Sequence, residues 1–410
     1  MVLDRKRVAL ISVHGDPAIE IGKEEAGGQN VYVRHVGEAL ARLGWQVDMF
    51  SRKTDPEDAT IVEHSPQCRT IRLTAGPEAF IPRDELFDRL PEFVEQFQAF
   101  QVKERIEYPI VHTNYWLSSW VGMELKRQQP QIRQVHTHHS LGAVKYKAVR
   151  DRPPIADTRL ETEKRCIETA DCVIATSPQE EEDMRSLVTK KGNIKIIPCG
   201  TDVDRFGSIS QTEARQRLGF DPDDKIAFYV GRFDRRKGIE TLVRAAAECK
   251  TRATGQLKLI IGGGSRPDKA DGRERRRIEG IVEELELGDI ASFPGRISDA
   301  DLPAYFAAAD VCVLPSHYEP FGLVPLEAMA CWTPVIASKV GGLQYSVVHE
   351  ATGLLVPPKD AAGFAKALDR VLGDSQWRDR LGKAARSRVE NEFSWTSVAG
   401  QLAELYETLL

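Results

Sequence analysis

PSHYEPFGLVPLEAMACWTPVIASKVGG, Pro315–Gly342, joins two apolar runs through a loop and a short helix. It is entered through the apolar run Asp310-Val-Cys-Val-Leu-Pro315 and left through Pro334-Val-Ile-Ala337, both of the length and composition of parallel strands buried on two faces. Between them a loop feeds a helix that carries the small-residue segment Ala328-Met329-Ala330. Glu319 and Glu327 stand eight positions apart, with Phe321-Gly322-Leu323-Val324 between them. Gly322 leaves the next backbone N–H groups open at a helix N-terminus, which suits phosphate or sugar oxygens. Glu327, one turn further in, can chelate a vicinal diol with its carboxylate. A pair of glutamates at this spacing is by itself also compatible with two solvated residues flanking an apolar helix start, so the surrounding residues carry the decision.

Those residues, from Glu319 to Ala330, resemble the EPFG-x-V-x-LEAMA signature of retaining glycosyltransferases with the GT-B fold, the group that includes the sucrose-phosphate synthases. The resemblance implies that Glu319 sits by the transferred sugar. It further implies that the amides of Phe321, Gly322, Leu323 and Val324 meet the sugar and the diphosphate, and that Glu327 holds the nucleotide ribose. One departure is plain: Trp332 occupies a turn position where the family usually has glycine.

Working backwards, a doubly wound pattern begins at the strand Ile226-Ala-Phe-Tyr-Val230 and continues through Leu257–Ile261, Ala291–Pro294 and, past the opening stretch, Gly353-Leu-Leu-Val-Pro-Pro358. The first of these strands ends in Gly231-Arg232-Phe-Asp-Arg-Arg-Lys237-Gly238. A guanidinium and an ammonium at the end of a strand can neutralise a diphosphate, Arg232 as a fork and Lys237 as a point charge. The family resemblance implies that role for both, and implies that the loop around Ile297 meets the nucleotide base through backbone atoms.

The N-terminal half repeats the architecture. Val8-Ala-Leu-Ile-Ser-Val13 is a buried strand; Ala26-Gly27-Gly28-Gln29-Asn30 opens a helix that runs to the Gly44 stop; Val47–Phe50 is the next strand. No G-x-G-x-x-G opens the helix, so this is not a dinucleotide fingerprint. A strand at Thr70–Leu73, a helix over Phe87–Val102, and strands at Ile110–Thr113, Cys172–Ala175 and Ile194–Ile197 follow. His136, His138 and His139 lie close together, yet strand alternation sends His139 to the opposite face from the other two, which argues against a metal site. The order His139-Ser140-Leu-Gly-x-x-Lys145 resembles the sucrose-phosphate synthase pattern, in which the histidine approaches the transferred sugar. By the same resemblance Gly27, Gly28 and Gln29 lie between donor and acceptor, with Gly28 on the donor side. Arg83, Ser140, Lys145 and Arg159 belong to the acceptor, the three basic residues as ligands of its phosphate. A further arginine that the pattern commonly has near Arg159 is Thr158 here.

A chain of 410 residues exceeds one ordinary domain, and a net charge of −5 argues against a general nucleic-acid binder. The run Arg273, Arg275, Arg276, Arg277 reads as one solvated helix face or loop rather than a membrane or nucleic-acid patch. Seven cysteines without C-x-x-C spacing point to a reducing compartment, and the N-terminal apolar run is too short for a signal segment or a membrane span, so a cytoplasmic address is expected. The Pro198-Cys-Gly-Thr-Asp202 break is the expected boundary between two doubly wound domains, 1–198 and 199–394. By resemblance the domains face each other across a cleft, and the helix 395–410 crosses back to the first domain.

The expectation is a retaining glucosyltransferase that moves glucose from UDP-glucose or ADP-glucose to fructose 6-phosphate, giving sucrose 6-phosphate. No side chain offers itself as a covalent nucleophile, so a same-face displacement through an oxocarbenium-like state is expected. Arg232 and Lys237 take the place of a metal, and no cofactor is expected. Alternatives are a sucrose-synthase-like enzyme that uses free fructose, a relative with an inositol phosphate or lipid-linked acceptor, and a non-enzymatic nucleotide-sugar binder.

Overall fold

The continuous apolar runs form parallel strands with helices on both faces. The computed structural model describes residues 6–19, 28–147, 152–319 and 321–410. The chain divides into two units, Met1–Pro198 with Trp395–Leu410, and Cys199–Ser394.

The first unit holds β1 (Arg7–Ile11), β2 (Gln46–Arg52), β3 (Ile61–Ser65), β4 (Cys68–Leu73), β5 (Ile110–Asn114), β6 (Arg133–Thr137), β7 (Cys172–Ala175) and β8 (Ile194–Ile196). They form one sheet in the order β3-β4-β2-β1-β5-β6-β7-β8. All neighbours are parallel except β3 and β4. Strand order reverses between β1 and β5, so the carboxyl ends of these two strands open the crevice where such sheets bind ligands. The edge strand β3 has no counterpart in the sequence reading, because Glu63 and His64 interrupt its apolar pattern. The helix expected from Phe87 starts as a 3-10 turn, Phe87–Arg89, and becomes α-helical over Leu90–Glu104, with Pro91 in its first turn.

Polar residues sit inside this sheet because each finds a partner. His112 Nδ1 lies 2.6 Å from Tyr406 Oη and its Nε2 2.9 Å from Thr137 Oγ1. Tyr406 belongs to the helix Trp395–Leu409, whose Trp395 also stacks on His35 at 5.2 Å. That helix buries Val398, Leu402, Leu405 and Tyr406, which holds the end of the chain on the first unit.

The second unit holds β9 (Lys225–Val230), β10 (Leu257–Gly262), β11 (Ala291–Gly295), β12 (Val311–Leu314), β13 (Val335–Ser338) and β14 (Gly353–Val356), in the order β11-β10-β9-β12-β13-β14, all parallel. Leu259, Ile261, Val311 and Val313 pack on one face, and Ile260 and Cys312 on the other with Leu326, Met329 and Phe393. This alternation, apolar on both sides, is the reason the strand runs read as continuous. The reversal here falls between β9 and β12, the strands that feed the two donor motifs. Among the described residues no helix is long and apolar enough to cross a membrane.

Candidate active site

In the second unit the loop after β9 is built around Asp234. Its carboxylate caps the 3-10 turn Arg235–Lys237 and pairs with Arg236 at 2.6 Å, so Arg236 is already neutralised. Arg232 is exposed, and its guanidinium makes no ion pair among the described residues. Lys237 Nζ lies 2.5 Å from Glu319 Oε2, although the two residues are 82 positions apart in the chain.

Backbone contact between the two loops brings them together. Gly238 has φ +67°, and a Cβ there would fall 2.0 Å from the Pro315 carbonyl oxygen. The amide of His317 donates to the Arg236 carbonyl at 2.7 Å. Glu319 is clamped from the other side: Gly342 N donates to its carbonyl at 3.0 Å, and a Cβ on Gly341 would meet that oxygen at 2.0 Å. Gly341, the first of the glycine pair that closes the opening stretch, is therefore a steric requirement of the Glu319 backbone.

The helix after Gly322 is short, Val324–Ala330, with no side-chain cap from Leu323. Gly322 takes φ +83° against the Glu319 side chain, whose Cγ would lie 3.0 Å from an added Cβ. Phe321 is buried, and Pro320 lies outside the described residues. Glu327 sits in the first turn, its amide bonded to the Leu323 carbonyl at 3.0 Å. Burial pushes its carboxyl up to about 7, against the opposing charge of Arg205 and with a further push from Asp299. Arg205 in turn donates to the Asp299 carbonyl. Neither Arg205 nor Asp299 carries a motif, and only the fold brings them to Glu327. Ile297 covers the end of β10, its Cδ1 2.6 Å from where a Cβ on Gly262 would stand. An open cavity of about 840 Å³ adjoins Arg232 and is lined by further basic side chains, Arg235, Arg266, Lys269 and Arg273 among them. Trp332 takes φ +57°, a left-handed conformation that explains glycine as the family's usual residue there, and Arg386 packs 4.5 Å over its ring.

In the first unit Gly27 lies outside the described residues. Gly28 begins the helix Gly28–Arg42 with open space around its Cβ position. Gln29 Nε2 donates to Ser12 Oγ at 2.9 Å and to the Asn114 carbonyl at 3.4 Å, which ties the helix start to the ends of β1 and β5. Asn114 Nδ2 donates to the carbonyls of Ile11 and His112, which turns Oδ1 toward His139 Nε2 at 2.9 Å. That bond puts the proton on Nε2 and leaves Nδ1 as an acceptor. His139 has φ +58°, and burial, with lesser contributions from His112, His14 and His138, lowers its pKa to about 3. The imidazole is neutral over the physiological range. His136 and His138 share one side, 3.2 Å apart through Nε2 and Nδ1, and among the described residues no group of three His, Cys, Asp or Glu is disposed to hold a metal ion.

The three basic residues of the acceptor reading, distant in sequence, come together, two of them on Tyr115 and Lys145 within reach of their charges. The Arg83 and Arg159 guanidinium carbons lie 5.6 and 5.0 Å from its ring, and Tyr115 itself is held at φ +74°. Burial, then the charges of Arg83 and Arg159, depress the pKa of Lys145. Arg159 is only 1% exposed and is heavily committed: Nε to Glu163 at 2.7 Å, Nη1 to Tyr115 Oη at 3.1 Å, and Nη2 to the Ser140 carbonyl at 2.6 Å. Ser140 is exposed and turns its carbonyl to this guanidinium. Arg83 is half exposed beside Asp84 at 3.8 Å. Sequence reasoning passed over Tyr115 as a site residue and gave Glu163 no role; the Arg159-to-Glu163 spacing of four within a helical stretch was the one readable sign of that pair.

Two switch-point crevices, one with Arg232 outside any ion pair among the described residues and a buried glutamate with a raised pKa, the other with a cluster of cations and a neutral histidine, define a glycosyltransferase of the GT-B fold. Residues 26–205 match the model for Glycosyltransferase Family 4 and residues 210–388 that for Glycosyl transferases group 1, and the chain belongs to this family. It is 55% identical to sucrose-phosphate synthase from Thermosynechococcus elongatus, with a TM-score of 0.82 over 98% of this chain and 99% of that one. It is 38% identical to a D-inositol 3-phosphate glycosyltransferase of Corynebacterium jeikeium over 98% of this chain and 97% of that protein. At 19% identity, the Anabaena HepE structure solved with UDP and glucose shares the fold, with a TM-score of 0.73 over 98% of this chain and 100% of that one.

Proposed function

We propose that this enzyme transfers glucose with retention from UDP-glucose or ADP-glucose to fructose 6-phosphate, giving sucrose 6-phosphate. The observation that carries the reading is the clustering of three cations, Arg83 and Arg159 over the Tyr115 ring and Lys145 within reach of the charges of both. Cations held this close raise one another's free energy, and a phosphate dianion relieves that repulsion where a neutral hydroxyl does not. The 55% identity with a sucrose-phosphate synthase over nearly the whole chain supports the same acceptor.

In this reading residues 199–394 hold the donor. Arg232 and Lys237 take the diphosphate, and the amides of Phe321 to Val324 meet the diphosphate and the sugar. Glu327 takes the ribose diol and the Ile297 loop the base. In the unliganded protein Lys237 is paired with Glu319; an arriving diphosphate competes for the ammonium and releases Glu319 toward the sugar. The charge that develops on the departing phosphate is met by groups already in place, which lowers the barrier without reorganisation. The acceptor is taken by residues 1–198 with the helix 395–410, through Gly27, Gln29, Arg83, Ser140, Lys145 and Arg159. His139, neutral and oriented by Asn114, accepts through Nδ1 from a hydroxyl of the transferred sugar. The leaving phosphate takes the acceptor proton in a same-face displacement. All seven cysteines are unpaired thiols, in keeping with a reducing, cytoplasmic setting.

A phosphorylated inositol is the competing acceptor, favoured by the relatives of that name at 38% and 36% identity. The test is turnover of UDP-glucose and ADP-glucose with fructose 6-phosphate, inositol 3-phosphate and unphosphorylated fructose. A preference for fructose 6-phosphate supports the proposal; a preference for either other acceptor overturns it.

A further inference from the structure

One fully enclosed carboxylate belongs to none of the donor or acceptor motifs. Glu163, on the helix Ala156–Thr169, is 0% exposed. Its Oε1 accepts from Arg159 Nε at 2.7 Å, and the amide of Gly142 donates to both carboxylate oxygens, at 3.1 and 2.8 Å. Gly142 is the first residue of the helix Gly142–Lys147, which carries Lys145, and it follows the Ser140 turn whose carbonyl receives Arg159 Nη2. One carboxylate thus joins the guanidinium to the segment that bears the ammonium. With its Nε edge held by Glu163, Arg159 has only its two Nη groups left, and these point to Tyr115 and to Ser140. The fit is close: a Cβ on Gly142 would stand 2.8 Å from Glu163 Oε2 and 3.0 Å from Arg159 Nε. A buried carboxylate persists only where its partners satisfy it, and here the partners are parts of the acceptor cluster.

We propose that Glu163 is the positioning residue of the acceptor half-site: by binding Arg159 Nε and the Gly142 amide together, it sets the separation and orientation of the cations that receive the acceptor. The inference rests on the acceptor roles of Arg159 and Lys145 given above. Glu163 touches no reacting group, so its loss acts on acceptor binding and leaves the donor side, in the other unit, alone.

Two substitutions perturb the same joint in different ways. Glu163→Gln keeps the shape but removes the charge and sets an amide N–H₂ against two donors. Gly142→Ala keeps the buried ion pair and pushes a methyl group between its members, so it tests the joint even where Glu163→Gln fails to fold. Steady-state kinetics of both with the acceptor that the wild-type enzyme prefers among fructose 6-phosphate, inositol 3-phosphate and fructose, and calorimetric titration with UDP, separate the two sides. The acceptor KM should rise tenfold or more in each folded variant, with kcat at saturating acceptor and the UDP Kd within twofold of wild type. An acceptor KM within twofold of wild type in folded Gly142→Ala, or an equal rise in acceptor KM and UDP Kd, overturns the inference. The wild-type preference judges the proposed function separately, and turnover of none of the three acceptors removes both.

Discussion

Replacing Glu327 with glutamine should make this protein more stable at neutral pH and a poorer ligand for its nucleotide. Burial raises the carboxyl from 4.5 to about 7. At about 1.4 kcal/mol for each tenfold change in affinity for the proton, that rise corresponds to roughly 3.5 kcal/mol, an upper figure because Glu327 keeps part of its surface exposed. A raised folded-state pKa means that between pH 4.5 and about 7 the native protein holds a proton that the unfolded chain has released. Stability from this group is therefore full below pH 4.5, falls as pH rises through the window, and is lost above about 7. Glutamine has no such dependence. Urea unfolding of both proteins from pH 4.5 to 8.5 should show a difference that grows with pH to at most about 3.5 kcal/mol in favour of the variant. In the proposed donor role the carboxylate, the form that destabilises the fold, accepts the two ribose hydroxyls, so UDP should bind wild type more weakly as pH falls below about 7, and the variant weakly at every pH. A stability difference that is flat with pH, or a UDP Kd unchanged by the substitution, refutes the reasoning.

Arg232→Ala and Lys237→Ala should each lower turnover about ten- to a hundredfold, since a charge-assisted contact contributes roughly 1.5 to 3 kcal/mol, with little change in unfolding midpoint; unchanged kinetics in either removes its diphosphate role. Lys145→Ala should raise the KM for fructose 6-phosphate about tenfold and leave fructose unaffected. Arg159→Ala should do the same and in addition destabilise by about 3 to 5 kcal/mol, because Glu163 is left buried without its counter-ion; denaturation curves and kinetics together separate the two effects. Activity should survive a chelator in full, and loss restored by magnesium or manganese would reveal a metal requirement.

Much of the fold is legible in the chain because doubly wound sheets write themselves plainly. Strands buried on two faces are continuous apolar runs, and the helices between them carry their own stops, as at Gly44. Where a strand has only a weak pattern the reading fails, as for β3, or stops short, as at the start of β4. His112 and Thr113 are fully buried within β5 only because Tyr406, Thr137 and His136 satisfy them, and no local pattern announces such partners.

For the site, contiguous motifs are enough to tell which chemical groups stand at the carboxyl ends of strands: Arg232 and Lys237 after β9, Glu319 and Glu327 after β12, Gln29 after β1, His139 after β6. Local backbone rules suffice for that, since the motif and the strand that presents it are contiguous. Tertiary structure alone decided which of them meet. Lys237 reaches Glu319 because Gly238 lets one loop pass against the Pro315 carbonyl, and Glu327 is raised toward 7 by burial, with the charge of Asp299 adding to the rise and that of Arg205 opposing it, both from other segments. Arg83 and Arg159 gather around Tyr115, and Glu163 ties Arg159 to Gly142, through contacts between segments 19 to 44 positions apart. Distances and desolvation are properties of segments brought together, and only folding brings them together.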